Sequence, residues 1–184
     1  MIASATRLWT VEEYHRMAEV GILSPNEIEL IEGEVIAMAG KKPPHVVVTE
    51  LSSEYLRQLL VEVAYVRTQD PVFLNERSEP EADIAVVLPP LRRYLDHYPA
   101  TDEIFLIIEV ADTTLQFDLK KKAAAYAQAK IADYWVVDAI AHQVYIFREP
   151  VVGAHAKKTV LSQRSTVGLL AFPEIEVVLE EFFP

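Results

Sequence analysis

Cysteine is absent from all 184 residues. That excludes disulfides, thiolate zinc sites, iron–sulfur ligation and cysteine nucleophiles, and it is compatible with a reducing cytosol, so a cytoplasmic location is expected. Glycine is scarce, at 5 residues, and no Gly-rich phosphate loop can be drawn through them. Basic side chains are outnumbered: Lys and Arg total 17 against 28 Asp and Glu, and 17 − 28 gives a formal charge of −11. An acidic chain repels a polyanion at long range, which excludes an architectural protein that coats nucleic acid. A local basic patch or a bound cation still leaves room for a specific contact. Long apolar runs are missing too; Ile104–Ile108 is as long as any, far short of a membrane span. The stretch MIASATRLWTVEEYHRM has neither the basic start nor the apolar run of a signal peptide, and Phe182-Phe183-Pro184 matches no lipidation signal.

What is present suits one folded domain over residues 1–184: 51% hydrophobic and 24% charged residues can build a real core. Thr10 followed three residues on by Glu13 is a capping box, predicting a helix over 11–20 with Gly21 at its C′ position. Residues 27–38, EIELIEGEVIAM, read as a β-hairpin turning at Glu32-Gly33. Val47, Leu51, Tyr55 and Leu59 recur every four residues, with Val48 and Leu56 beside them, predicting an amphipathic helix over about 45–63. Short β-rich runs follow at 64–68, 72–74 and 82–88. Residues 89–103 contain three prolines and read as a loop. Ile104–Ala111 is nearly all apolar, the pattern of a strand buried on both faces. Residues 117–130 read as a helix, 134–138 and 144–147 as paired strands, and 159–162, 167–172 and 175–179 as a weakly alternating tail. That order is α/β: a central mixed sheet flanked by helices, preceded by an N-terminal helix and hairpin.

Three acids sit where acids are costly. Glu29 lies between Ile28 and Leu30, Asp83 begins the run DIAVVL, and Glu109 interrupts the apolar run IFLIIEV. A poorly solvated carboxylate needs a cation or a donor nearby. Carboxylates that converge form a hard oxygen site suited to Mg²⁺ or Mn²⁺; each could instead face water or pair with a Lys or Arg. Asp118, Lys122 and Tyr126 are spaced by four and would share one helix face, with Lys121 turned away to solvent. Alternatively Lys120, Lys121 and Lys122 are a solvated face. Arg92, Arg93, Tyr94, His97 and Tyr98 give the 89–103 segment a basic–aromatic character suited to a phosphate backbone or a stacked base.

These residues carry a resemblance. The chain is similar to the PD-(D/E)xK nuclease superfamily and, more narrowly, to a bacterial family of small restriction-endonuclease domains. The likeness runs from Thr10-Val11-Glu12-Glu13-Tyr14 to the C-terminal PEIEVVLEEFF. It includes ELIEGEV at 29–35, His45 opening the long helix, ADIAVV at 82–87, LIIEV at 106–110, the Asp118–Lys122–Tyr126 spacing and DYWVVD at 133–138. No one piece is specific; their order and spacing are. The resemblance implies a restriction-endonuclease-like core with a Mg²⁺ or Mn²⁺ site at one end of the sheet. Asp83 and Glu109 match the metal-binding acids, and Glu29 matches an acid on an early element that completes the site. The sequence departs from the superfamily pattern at Ala82, where a proline is expected, and at Ala111, where the catalytic lysine is expected. In the narrower family that lysine has moved to the following helix, at Lys122.

The resemblance implies a metal-dependent endonuclease acting on phosphodiesters, most naturally in DNA. Asp83, Glu109, Lys122 and Glu29 would be catalytic, and His45, Arg92, Arg93 and Lys121 would contact the nucleic acid. Cutting both strands of a duplex implies two active sites, hence a homodimer. Two other readings stay open: a nuclease fold kept as a binding or regulatory module, which Ala111 and the acidic composition favour, and a hydrolase of small phosphoesters.

Overall fold

The structure, a computed structural model, describes residues 6–24 and 27–184. Helix α1 (Val11–Glu19) starts where the capping box places it: Thr10 Oγ1 accepts from the Glu13 N–H at 3.2 Å, and Glu13 Oε2 accepts from the Thr10 N–H at 3.1 Å. Its Val11 and Tyr14 are buried against Leu30 of the hairpin formed by β1 (Ile28–Ile31) and β2 (Glu34–Ala37). Glu32 and Gly33 both take positive φ in the two-residue turn, as a tight hairpin requires. A Cβ at Gly33 would meet the Leu8 Cβ at 2.7 Å, so the glycine also admits the approach of the chain preceding α1. Because α1 is short and relies on its cap, Thr10→Ala should cost about 1 kcal/mol, read from urea unfolding.

Helix α2 (Pro43–Leu59) has two prolines in its first turn, where missing N–H donors cost nothing. Its buried face differs from the expected stripe. His45, Val48, Thr49, Ser52, Ser53 and Leu56 are buried, whereas Val47 is 43% exposed. Small and hydroxyl side chains let the helix axis lie close to the sheet, and the bulkier Tyr55 and Leu59 pack along its flank. Tyr55 meets Phe182 edge-on at 6.2 Å between ring centroids. The helix also ends four residues short of Val63.

The central sheet has the order β3 (Tyr65–Pro71), β4 (Glu81–Val87), β5 (Ile104–Ala111), β6 (Asp133–Asp138), β7 (Gln143–Val151), β8 (Ala154–Ser162). Only β5 and β6 pair in parallel; every other neighbour is antiparallel, so the sheet is mixed as expected. The crossover between β5 and β6 runs through α3 (Leu115–Phe117), a π-helical turn (Asp118–Lys122) and α4 (Ala123–Gln128). Residues 72–74 form no strand; Phe73 makes a single bridge to Ala100, and the 89–103 segment contains two 3₁₀ turns. A small pair, β9 (Thr166–Gly168) with β10 (Glu176–Val178), leads into the C-terminal 3₁₀ turn Leu179–Phe182.

The sheet is covered on both faces. Leu106, Ile108, Val110, Trp135 and Val137 meet α2 and Phe182. Ile107, Ala111, Tyr134 and Val136 meet Ala123 and Tyr126 of the crossover. This alternation fixes where Glu109 points: between Ile107 and Ala111 in phase, it faces the crossover helix, not α2. Among the described residues no helix is long and apolar enough to cross a membrane.

Candidate active site

The antiparallel register of β4 and β5 places Ile84 opposite Ile108; one step further stand Asp83 and Glu109. Asp83 Oδ2 accepts the Val110 N–H at 2.8 Å, which ties its carboxylate to the neighbouring strand. Asp83 Oδ1 lies 3.1 Å from His45 Nε2, and Thr49 Oγ1 is 3.5 Å from the other ring nitrogen. The first turn of α2 is thereby pinned to the sheet.

Lys122 approaches from the crossover. Its Nζ lies 3.0 Å from Glu109 Oε1 and 3.1 Å from Glu29 Oε2, and donates to the Glu81 carbonyl at 3.3 Å. Tyr126 donates its hydroxyl to the same Glu109 Oε1 at 2.7 Å. Glu29 is 4% exposed and Oε2 accepts the Glu81 N–H at 3.2 Å, so this acid points inward from β1. Asp83, Glu109, His45, Lys122, Asp118 and Lys41 line one cleft between the hairpin and the ends of β4 and β5, with Glu29 just beneath.

One ammonium cannot neutralise all the acids around it. Burial pushes the Glu109 carboxyl well above the ordinary range, against the pull of Lys122 and with Asp83, Asp118 and Glu29 adding to the rise. Burial opposes the charge on Lys122 as well, but Glu109 and Glu29 overcome it and hold the ammonium above its usual pKa. Burial would raise Asp83; His45 outweighs it and the net direction is down. His45 moves up in return, Asp83 overcoming the burial of the ring.

Asp118 does not pair with Lys122 across one helical turn as the spacing suggests. Its Oδ2 accepts from Thr114 Oγ1 at 2.7 Å. The π-helical turn is the cause: it widens the coil over Asp118–Lys122, so side chains four apart no longer align and Lys122 is sent to Glu109. Lys122 and Tyr126 do share a face, and both reach Glu109 Oε1. Burial lifts Asp118 to about 6. A raised acid holds a proton in the folded state that the unfolded chain, at 3.8, has released. Stability therefore falls as pH rises between these values, by about 3 kcal/mol from this group alone. In Asp118→Asn the loss of stability between about pH 4 and pH 7 should shrink by that amount, measured by denaturant titration at each pH.

The remaining residues named from sequence lie elsewhere. Lys121 pairs with Glu34 of β2 outside the cleft lining. Arg93 reaches Glu103 at 3.4 Å, and Arg92 is exposed on the 3₁₀ turn Leu91–Tyr94 beside a separate depression. Ala111 is 1% exposed in the core facing the crossover, and the buried cation nearest Glu109 is Lys122.

Hard oxygen donors around the cleft, with more carboxyl groups than Lys41, His45 and Lys122 can balance, suit a divalent cation in kind. Glu81 and Asp83 of β4 and Glu109 of β5 line it, and Glu81 is engaged by Lys41 at 3.1 Å. Among the described residues, no three His, Asp or Glu side chains are already gathered as an ion's ligand set. The acids are turned instead onto Lys122 and His45.

A mixed sheet sandwiched between helices, with acids gathered at one end of two central strands, defines a nuclease-like α/β protein. A family model described as "Putative restriction endonuclease" (Uma2) matches residues 11–180, and the chain belongs to that family. The fold is similar to a crystal structure of "a putative nuclease belonging to DUF820" from Anabaena variabilis ATCC 29413, with a TM-score of 0.72 over 95% of this chain and 97% of that one, at 15% sequence identity. No curated protein matches the chain.

Proposed function

We propose that the protein is a metal-dependent endonuclease that hydrolyses phosphodiester bonds in DNA. The observation that carries this reading is the meeting of Glu29, Asp83, Glu109 and Lys122, from four different elements, around one cleft. Asp83 and Glu109 would hold Mg²⁺ or Mn²⁺, with Glu29 beside them. When bound, the ion offsets negative charge on the scissile phosphate and acidifies the attacking water. The chain's own residues do the rest. His45 and the Val110 N–H fix the Asp83 carboxylate, Tyr126 fixes Glu109, and Lys122 supplies a positive charge for the phosphate as charge develops in the transition state. Two copies would serve the two strands of a duplex.

Supercoiled plasmid incubated with Mg²⁺ or Mn²⁺ should be nicked by the wild-type protein and left intact by Asp83→Ala/Glu109→Ala. Cleavage that survives the double substitution would remove the activity from this site. The inward pairing of the acids with Lys122 and His45 favours one other reading, a nuclease fold serving as a binding module. No nicking by the wild-type protein, with saturable DNA binding retained, would establish it.

A further inference from the structure

A second depression, of about 630 Å³, lies between α1 and the segment 94–100 and shares no lining residue with the acid-lined cleft. Its size falls in the range of small-molecule sites, roughly 300–1,000 Å³. Glu79 lines it although only 5% exposed. Glu79 Oε1 contacts His15 Nε2 at 2.5 Å, which leaves Oε2 free to accept from a guest. Burial raises the Glu79 pKa even against the pull of His15. Phe73, Tyr94 and Tyr98 supply aromatic surface. The Tyr94 hydroxyl is committed to the Leu88 carbonyl at 2.9 Å, which holds that ring in place. Arg92 lies on an adjoining depression that shares Tyr94 and Leu95 with this one.

We propose that this depression binds an unpaired nucleobase. Tyr98 offers a ring for a base to stack on, Tyr94, already met by Arg67 and His97, walls the depression, and Glu79 Oε2 accepts from the base's exocyclic amine or ring N–H. A wholly apolar guest would make no use of the Glu79 carboxylate, whereas a flat heteroaromatic N–H donor uses the carboxylate and the rings together. A bare phosphate would meet the negative charge of Glu79 and Asp96, whereas a base directs its sugar and phosphate outward, toward Arg92. Glu79 continues through Pro80 and Glu81 to Asp83; four extended residues span about 13 Å. A single strand could therefore engage both places, and the inference deepens the nuclease reading by naming a substrate feature: an unstacked base near the scissile bond.

2-Aminopurine carries an exocyclic amine and loses fluorescence when stacked. The free riboside, and a short single strand containing one such base, are titrated with the whole protein in chelator so that no cleavage intervenes. Saturable quenching is expected. Tyr98→Ala and Glu79→Gln should each weaken it about tenfold or more, and Tyr98→Phe, which keeps the ring, should stay close to wild type. Quenching of the strand alone assigns the base to a strand substrate, and quenching of the riboside as well assigns it to a free nucleoside ligand; both support the site. No saturable quenching of either probe, or wild-type affinity in both Tyr98→Ala and Glu79→Gln, overturns it. Because binding is read without metal, failure here leaves nicking at Asp83 and Glu109 untouched, and absent nicking leaves the quenching intact.

Discussion

Lys122→Met is expected to abolish phosphodiester cleavage and to destabilise the metal-free protein by about 3–5 kcal/mol. The methionine keeps the length of the stem but removes the ammonium shared by Glu109 and Glu29. Those carboxylates are 3% and 5% exposed at the side chain, so neither can turn to water without opening the site. The loss is that of leaving buried charge unpaired, which exceeds the net contribution of the ion pair itself. A divalent cation should restore part of it, since the acids then regain a positive partner. Lys121→Met is the control: its partner Glu34 is 51% exposed, and a surface pair contributes about 0–1 kcal/mol. Urea titrations in chelator and in Mn²⁺, run beside a nicking assay, read all of this. Full activity in Lys122→Met would end the role given to that lysine, and a metal-free stability equal to wild type would contradict the buried pairing.

Glu109→Gln should part stability from activity. The amide keeps the shape, and its oxygen can still accept from Lys122 and Tyr126. It removes the charge whose burial drives the Glu109 pKa up, and Lys122 retains Glu29 as counter-ion. The melting temperature at pH 7 should therefore match or exceed that of wild type. Cleavage should fall roughly a thousandfold, because losing a metal ligand removes several kcal/mol of charge stabilisation in the transition state. A well-folded Glu109→Gln protein that nicks DNA at the wild-type rate would contradict the assignment of Glu109.

Much of this arrangement is legible in the sequence, and the exceptions have physical causes. The hairpin can be read because Glu32-Gly33 satisfies a local turn requirement, and β5 because an apolar run broken by one acid has few other uses. Asp83 and Glu109 stand out because acids are expensive in such strands. The buried face of α2 is misread from periodicity, since Thr49, Ser52 and Ser53 carry little hydrophobic signal while small enough to pack closely against a sheet. Glu29 alternates with apolar neighbours and fits a surface position equally well; its inward direction depends on the Glu81 N–H, 52 residues away. The contacts of Asp118 are lost for a different reason. A four-residue spacing is read on an α-helical wheel, and no residue type in DLKKK announces that this turn is π-helical. Lys122 and Tyr126, spaced by four along the α-helical continuation, do share a face as their spacing suggests, and both reach Glu109.

Titration of the metal-free protein with Mn²⁺ in a calorimeter tests the central claim most directly, because it asks whether acids now held by Lys122 and His45 can be drawn onto a cation. Saturable binding to the wild-type protein is predicted, tighter in Lys122→Met, where no ammonium competes for Glu109, and lost in Glu109→Gln. No saturable heat from the wild-type protein at millimolar Mn²⁺, or binding to Glu109→Gln as tight as to wild type, would contradict it.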